Sequence, residues 1–137
     1  MRRAIALTLI VAALALATAC GAGGGGSKEI KSGKVGEMTV TLANADGMLR
    51  HGDAEFTVTF KDASGKAVDV GSASLNFYMP PMGSMSPMND AATLTTTSDP
   101  GVYHAKVKIE MAGEWQAQIA YEGPRGAGKG TFPVTAQ

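Results

Sequence analysis

From Gly36 onward the chain alternates apolar and polar residues with a period of two, interrupted at regular intervals by turn residues. "EMTVTLAN" sets Met38, Val40 and Leu42 against Glu37, Thr39 and Thr41. "AEFTVTFKD" sets Phe56, Val58 and Phe60 against Glu55, Thr57 and Thr59. Successive side chains of a strand point to opposite faces, so the pattern predicts half-buried strands. "SASLNFYM", "AATLTTT", "VYHAKVKIE", "EWQAQIAYE" and "TFPVTA" continue it, and "ASGK", "DPG" and "EGPRGAGKG" read as the turns between them. Gly65 is free to take positive φ, and Pro100 fixes φ in its turn.

These amount to about seven short strands with no amphipathic helical window, the pattern of an Ig-like antiparallel β-sandwich. Pro133 cannot donate to a ladder, which places the last strand at an edge. Trp115 is the expected central core aromatic. Tyr103, just after the "DPG" turn, is expected to hydrogen-bond backbone at a corner.

The first 35 residues follow another pattern. "MRR" is followed by sixteen apolar or small residues, "AIALTLIVAALALATA", ending at Cys20, the only cysteine. That reads as an export signal over residues 1–19, too short and wrongly flanked for a spanning helix. "LATAC" resembles a bacterial lipobox, with Ala17 where Leu is usual and Leu16 one position further back. Cys20 is therefore the expected lipidation site, since a lone thiol in an oxidising compartment has no partner to bridge. "GAGGGG" and the residues up to 35 read as a flexible tether, leaving 36–137 as the folded domain. Gly21 rather than Asp after the cysteine favours the outer membrane, facing the periplasm, in a Gram-negative host. The expected location is the cell envelope, with the membrane reached through the N-terminal lipid.

Charge narrows the partners. The full chain carries 12 basic and 12 acidic residues. Removing Arg2 and Arg3 with the signal leaves ten against twelve, a net of −2. There is no basic stripe, so nucleic acid is excluded as an expected partner. There is no nucleophile pair, phosphate-cradling loop or metal-protease spacing either, and the expectation is that the protein is not an enzyme.

One segment stands apart. "FYMPPMGSMSPMND" holds Met79, Met82, Met85 and Met88, half of the eight methionines, at intervals of three. Thioether sulfur is a soft, uncharged ligand that selects Cu(I) among biological metals and needs no deprotonation. In an extended polyproline conformation, residues three apart lie ~9 Å apart, too far for their sulfurs to share one ion. Convergence needs a bend, which Gly83-Ser84 and Ser86-Pro87 can supply. His51 and His104 are candidate further ligands. Methionine also fills irregular core gaps and makes adaptable docking surfaces. Met79, directly after "LNFY", can be a packed strand residue, and the other three an apolar cap or dock.

The methionine segment, "DPGVYHAKVKIEMAGEWQAQIAY" and the exported N-terminus together resemble the YtkA-like domain family, related to the FixH-like proteins. The resemblance spans roughly residues 36 to 135. It implies a small extracytoplasmic Ig-like β-domain, linked to copper handling, heavy-metal efflux or oxidase assembly, and no enzymatic activity. FixH-like proteins usually carry a transmembrane anchor; here a lipid on Cys20 is the expected anchor instead. The sequence thus supports an envelope lipoprotein that binds or passes Cu(I) through its methionine loop. The alternative is a metal-free interaction module docking an envelope partner.

Overall fold

The computed structural model describes residues 27–137. The expected signal segment, Cys20 and most of the glycine tether lie outside the described residues. Within them the chain is all-β, as the alternation predicts. The strands are β1 (Lys28–Val35), β2 (Met38–Asn44), β3 (Gly52–Lys61), β4 (Ser72–Met79), β5 (Met88–Thr96), β6 (Val102–Ile109), β7 (Gly113–Gly123) and β8 (Gly126–Ala136).

There are eight strands rather than about seven. The additional one is β1, in a stretch that the sequence places in the tether. "KEIKSGKV" shows no alternation because only Ile30 and Val35 are apolar, and the intervening position is Gly33. That glycine is a packing requirement: a Cβ there would fall 2.5 Å from Cδ1 of Phe132, whose ring lies against β1. The hydrophobe for this position is thus supplied from β8.

All pairings are antiparallel and run in the order β1-β2-β3-β6-β5-β4-β7-β8. The sheet rolls nearly into a barrel, bringing its edge strands β1 and β8 against each other. Pro133 lies in β8, at an edge as its missing N–H requires. Strand β5 serves both halves of the sheet. Its first residues pair with β4, from Met79↔Met88 to Leu75↔Ala92, and its last with β6, from Thr93↔Lys106 to Thr96↔Tyr103.

The inward face of every strand meets in one core. Trp115, Phe60, Phe77, Leu42, Leu75 and Ile119 are among its fully buried side chains. Phe60 takes edge-on contacts from Tyr103 at 5.5 Å and Tyr121 at 5.9 Å, and Phe56 from Phe77 at 6.0 Å. Such offset geometry matches the positive ring edge to the negative ring face. The Tyr103 hydroxyl donates to the Gly71 carbonyl oxygen at 2.6 Å, the corner bond its position after the turn suggests. Burial, followed by the nearby Asp69 carboxylate, pushes the Tyr103 phenol above the usual tyrosine range.

Antiparallel connectivity sorts the loops to two ends. One end carries the β1–β2, β3–β4, β5–β6 and β7–β8 turns, including Gly65 at φ 84° and the Asp62 carboxylate accepting from the Ser64 and Lys66 amides. The other carries the start of β1, the β2–β3 loop, the β4–β5 hairpin, the β6–β7 loop and the end of β8. At this second end the β1–β8 seam is closed by a parallel bridge between Leu49 and Ala136. The Gln137 amide donates to Leu49 at 2.8 Å, and the His51 amide to Gln137 at 2.9 Å.

Candidate functional site

The methionine segment forms the β4–β5 hairpin, and the pairing explains its spacing. Met79 stands opposite Met88, and Met82 opposite Met85. The stretch from Met79 to Met88 reads nearly the same from both ends: methionine, proline, proline or serine, methionine, then the Gly83-Ser84 tip. Folding it at that tip sets like against like. Gly83 takes φ 56°, the positive value that a two-residue hairpin loop asks of its first central residue. The Met85 amide donates to the Met82 carbonyl at 2.9 Å and closes the turn. A three-residue interval that separates methionines along an extended chain thus sets them in opposed pairs across a hairpin. Directly opposed residues of an antiparallel pair have Cβ atoms about 5 Å apart.

The four methionines differ in environment. Met79 is a core residue, 2% exposed, with its methyl group beside Gly113. Met88 is half-buried against the core. Met82 and Met85, 57% and 43% exposed, are the only large hydrophobic side chains left in solvent among the described residues. Met79 therefore anchors the hairpin, the sulfurs free to meet a ligand are those of Met82 and Met85, and Met88 is partly accessible at the hairpin base.

The base of the hairpin is held on both sides. On the outer face the Asn76 amide donates to Asn89 at 3.0 Å and to Gln118 at 3.1 Å, linking β5, β4 and β7. On the β6 side the buried Asp90 carboxylate accepts from the Glu110 amide at 3.0 Å, tying β5 to the β6–β7 loop where the two strands part. That loop is fixed in turn by Trp115, whose indole N–H donates to the Met111 carbonyl at 3.0 Å.

Two methionines distant in sequence join this end of the barrel: Met48 from the β2–β3 loop and Met111 from the β6–β7 loop, both partly buried. With the four of the hairpin, all methionines described apart from Met38 lie here. No spacing in the sequence marks Met48 or Met111, because antiparallel topology alone brings their loops together.

The histidines are placed differently from each other. His51 lies at the methionine end, exposed, with Nδ1 at 2.9 Å from the Gln137 backbone oxygen. As that oxygen can only accept, Nδ1 carries the proton and Nε2 is left as an acceptor or ligand. His104 lies within β6, opposite Thr57 of β3 and Thr95 of β5, on the outer face and away from the hairpin. Among the described residues no three His, Cys, Asp or Glu side chains gather in metal-holding geometry. The donors on hand at the hairpin are thioethers, and that set fits a soft monovalent ion in preference to a hard or borderline divalent one.

Fold and hairpin together define a small antiparallel β-domain presenting a soft-donor tip. The chain belongs to the YtkA-like family, whose profile matches residues 33–120. That span runs from within β1 to within β7 and includes the whole hairpin. Neither the curated proteins nor the solved structures yield a match to this chain.

Proposed function

We propose that this chain is an envelope lipoprotein, held through an acyl group on Cys20, whose YtkA-like domain binds or passes Cu(I) through the thioethers of Met82, Met85 and Met88. The observation that carries the reading is the mirror register of the hairpin. Two exposed methionines stand opposite each other at a tip braced by the buried Met79 and the Asn76 amide links. Leaving two large apolar side chains in water forgoes their burial, on the order of 1.5–3 kcal/mol each. A thioether ligand needs that exposure to reach its ion. His51, at the same end with Nε2 free, is the available nitrogen donor, and His104 is not part of the reading. The copper would be cargo exchanged with an efflux or oxidase-assembly protein of the envelope, and the reading assigns the domain no catalysis.

The same exposure supports a second reading, a metal-free apolar dock for an envelope partner. Replacing Met82, Met85 and Met88 together by isoleucine separates the two. Bulk and apolarity persist and sulfur is lost. In a chain beginning at Gly21, competition against a Cu(I) chelator under reducing conditions should show copper retention collapsing in the variant, with little change in melting temperature. Equal retention by wild type and variant would remove the methionines from any copper site and leave the dock.

A further inference from the structure

We infer that the methionine hairpin points at the bilayer that anchors the protein, with its tip resting in the lipid headgroup region. The inference rests on the proposed acylation of Cys20 and on where the folded chain begins. Strand β1 starts at Lys28, opposite Asn44 of β2, at the hairpin end of the barrel. The chain therefore leaves the fold beside the hairpin, and an anchor upstream pulls on that end.

Distances restrict the alternatives. Seven residue steps separate Cys20 from Ser27, and the stretch between includes five glycines. Fully extended, seven steps reach about 25 Å. Strand β8 runs for 11 residues along the barrel, roughly 35 Å of chain. Barrel strands are tilted, so the height is less than that chain length, but turning the domain over would still require the tether to run back along the domain nearly fully extended. The hairpin, by contrast, projects from Met79 and Met88 by four residues on each side, on the order of 10 Å toward the membrane.

The chemistry of the projecting segment suits a lipid interface. No charged residue stands between Asp69 and Asp90, and Asp90 is itself buried with an amide partner. Entry of the tip into the headgroups thus desolvates no charge. Its outward side chains are Met82 and Met85, flanked by Pro80, Pro81 and Pro87, whose nitrogens have no N–H to leave unpaired. Tyr78, half-exposed at the hairpin base, offers an apolar ring with a polar end, the character favoured where lipid meets water. The charges of this end, Lys28, Asp46, Arg50, Glu110 and Glu114, belong to its other segments and not to the hairpin.

The test uses the full chain, exported and purified as the lipoprotein. With Cys20 acylated no other thiol remains, so Ser84→Cys at the tip and Ser98→Cys at the far end each give one labelling site. Each variant is coupled to the same nitrobenzoxadiazole fluorophore and reconstituted into phosphatidylcholine vesicles containing a spin-labelled quencher lipid. The Ser84 label should show a blue shift and a several-fold greater loss of emission than the Ser98 label. Mass analysis of the N-terminal peptide is read first. If it shows no acyl group, the anchoring reading fails and this inference with it. If Cys20 is acylated and the two labels quench alike, or Ser98 quenches more, the orientation alone is wrong. A Ser84 label that escapes quenching in vesicles but is shielded in native membranes assigns the tip to a membrane protein and overturns the lipid assignment.

Discussion

Replacing Trp115 by alanine tests the link between the core and the methionine end. The indole is wholly buried and its N–H bonds the Met111 carbonyl at 3.0 Å. A tryptophan in such a site covers about 200 Å², and at about 25 cal/mol per Å² its loss, less what alanine retains, removes about 4 kcal/mol. Losing the indole donor adds about 1 kcal/mol, and partial collapse of the cavity returns some of the total. The expected cost is about 3–5 kcal/mol, a large share of the ~5–15 kcal/mol that a domain of this size possesses. Trp115→Phe keeps most of the packing and loses the donor, so it should cost about 1–3 kcal/mol. Urea unfolding of all three proteins by far-ultraviolet circular dichroism measures both. Because Met111 shares its loop with Glu110, which bonds Asp90 at the hairpin base, the alanine variant should also show faster amide exchange at Glu110 and Asp90. An alanine cost below ~1 kcal/mol, or a phenylalanine variant as unstable as the alanine one, would refute this account of the core.

Three further substitutions bear on the opposite end. Tyr103→Phe leaves the Gly71 carbonyl without its donor and should cost about 1–3 kcal/mol in the same melt. Because the Tyr103 phenol is raised above its ordinary value, its contribution is complete below about pH 10 and lost as pH climbs through the folded value. Ultraviolet titration should accordingly show one late-ionising tyrosine that the variant lacks. Gly101 and Gly65 share similar φ, 80° and 84°, but a Cβ at Gly101 would overlap the Val68 backbone while one at Gly65 meets nothing within 4 Å. Alanine should cost about 2–4 kcal/mol at Gly101 and only the left-handed strain of about 1–2 kcal/mol at Gly65; equal costs would show that the Val68 contact is slack.

Strands β2 to β7 and the second half of β8 are legible because they alternate over a half-buried surface, and Pro133 marks the edge by the donor it lacks; the stretch 126–130 reads as turn because its glycines show no alternation, yet it pairs with β7. β1 is not legible, because its inward position is the glycine that accommodates Phe132, and a missing hydrophobe erases the period that reveals a strand. Tyr103 and Trp115 stand out as corner and core because a turn and an alternating run flank them. The methionine segment is conspicuous from composition and Gly83-Ser84 is legible as a bend, whereas its pairing depends on which residues flank the tip. Burial of Met79 follows from its place at the end of an inward-facing run, Leu75, Phe77, Met79. The separation of His51 from His104, and the approach of Met48 and Met111, belong to topology and leave no local trace.

The mirror register has a consequence for how this loop can change length. Surface loops ordinarily absorb insertions and deletions singly. Here one residue added on one side of the tip would set Met82 against a neighbour of Met85 and break the pair. All four methionines would remain and the opposed pair would be lost. Adding one residue to each arm would keep Met79 opposite Met88 and retain a symmetric tip. Length variants that preserve the pair should therefore differ by even numbers of residues, a parity that substitution at any single position would not reveal.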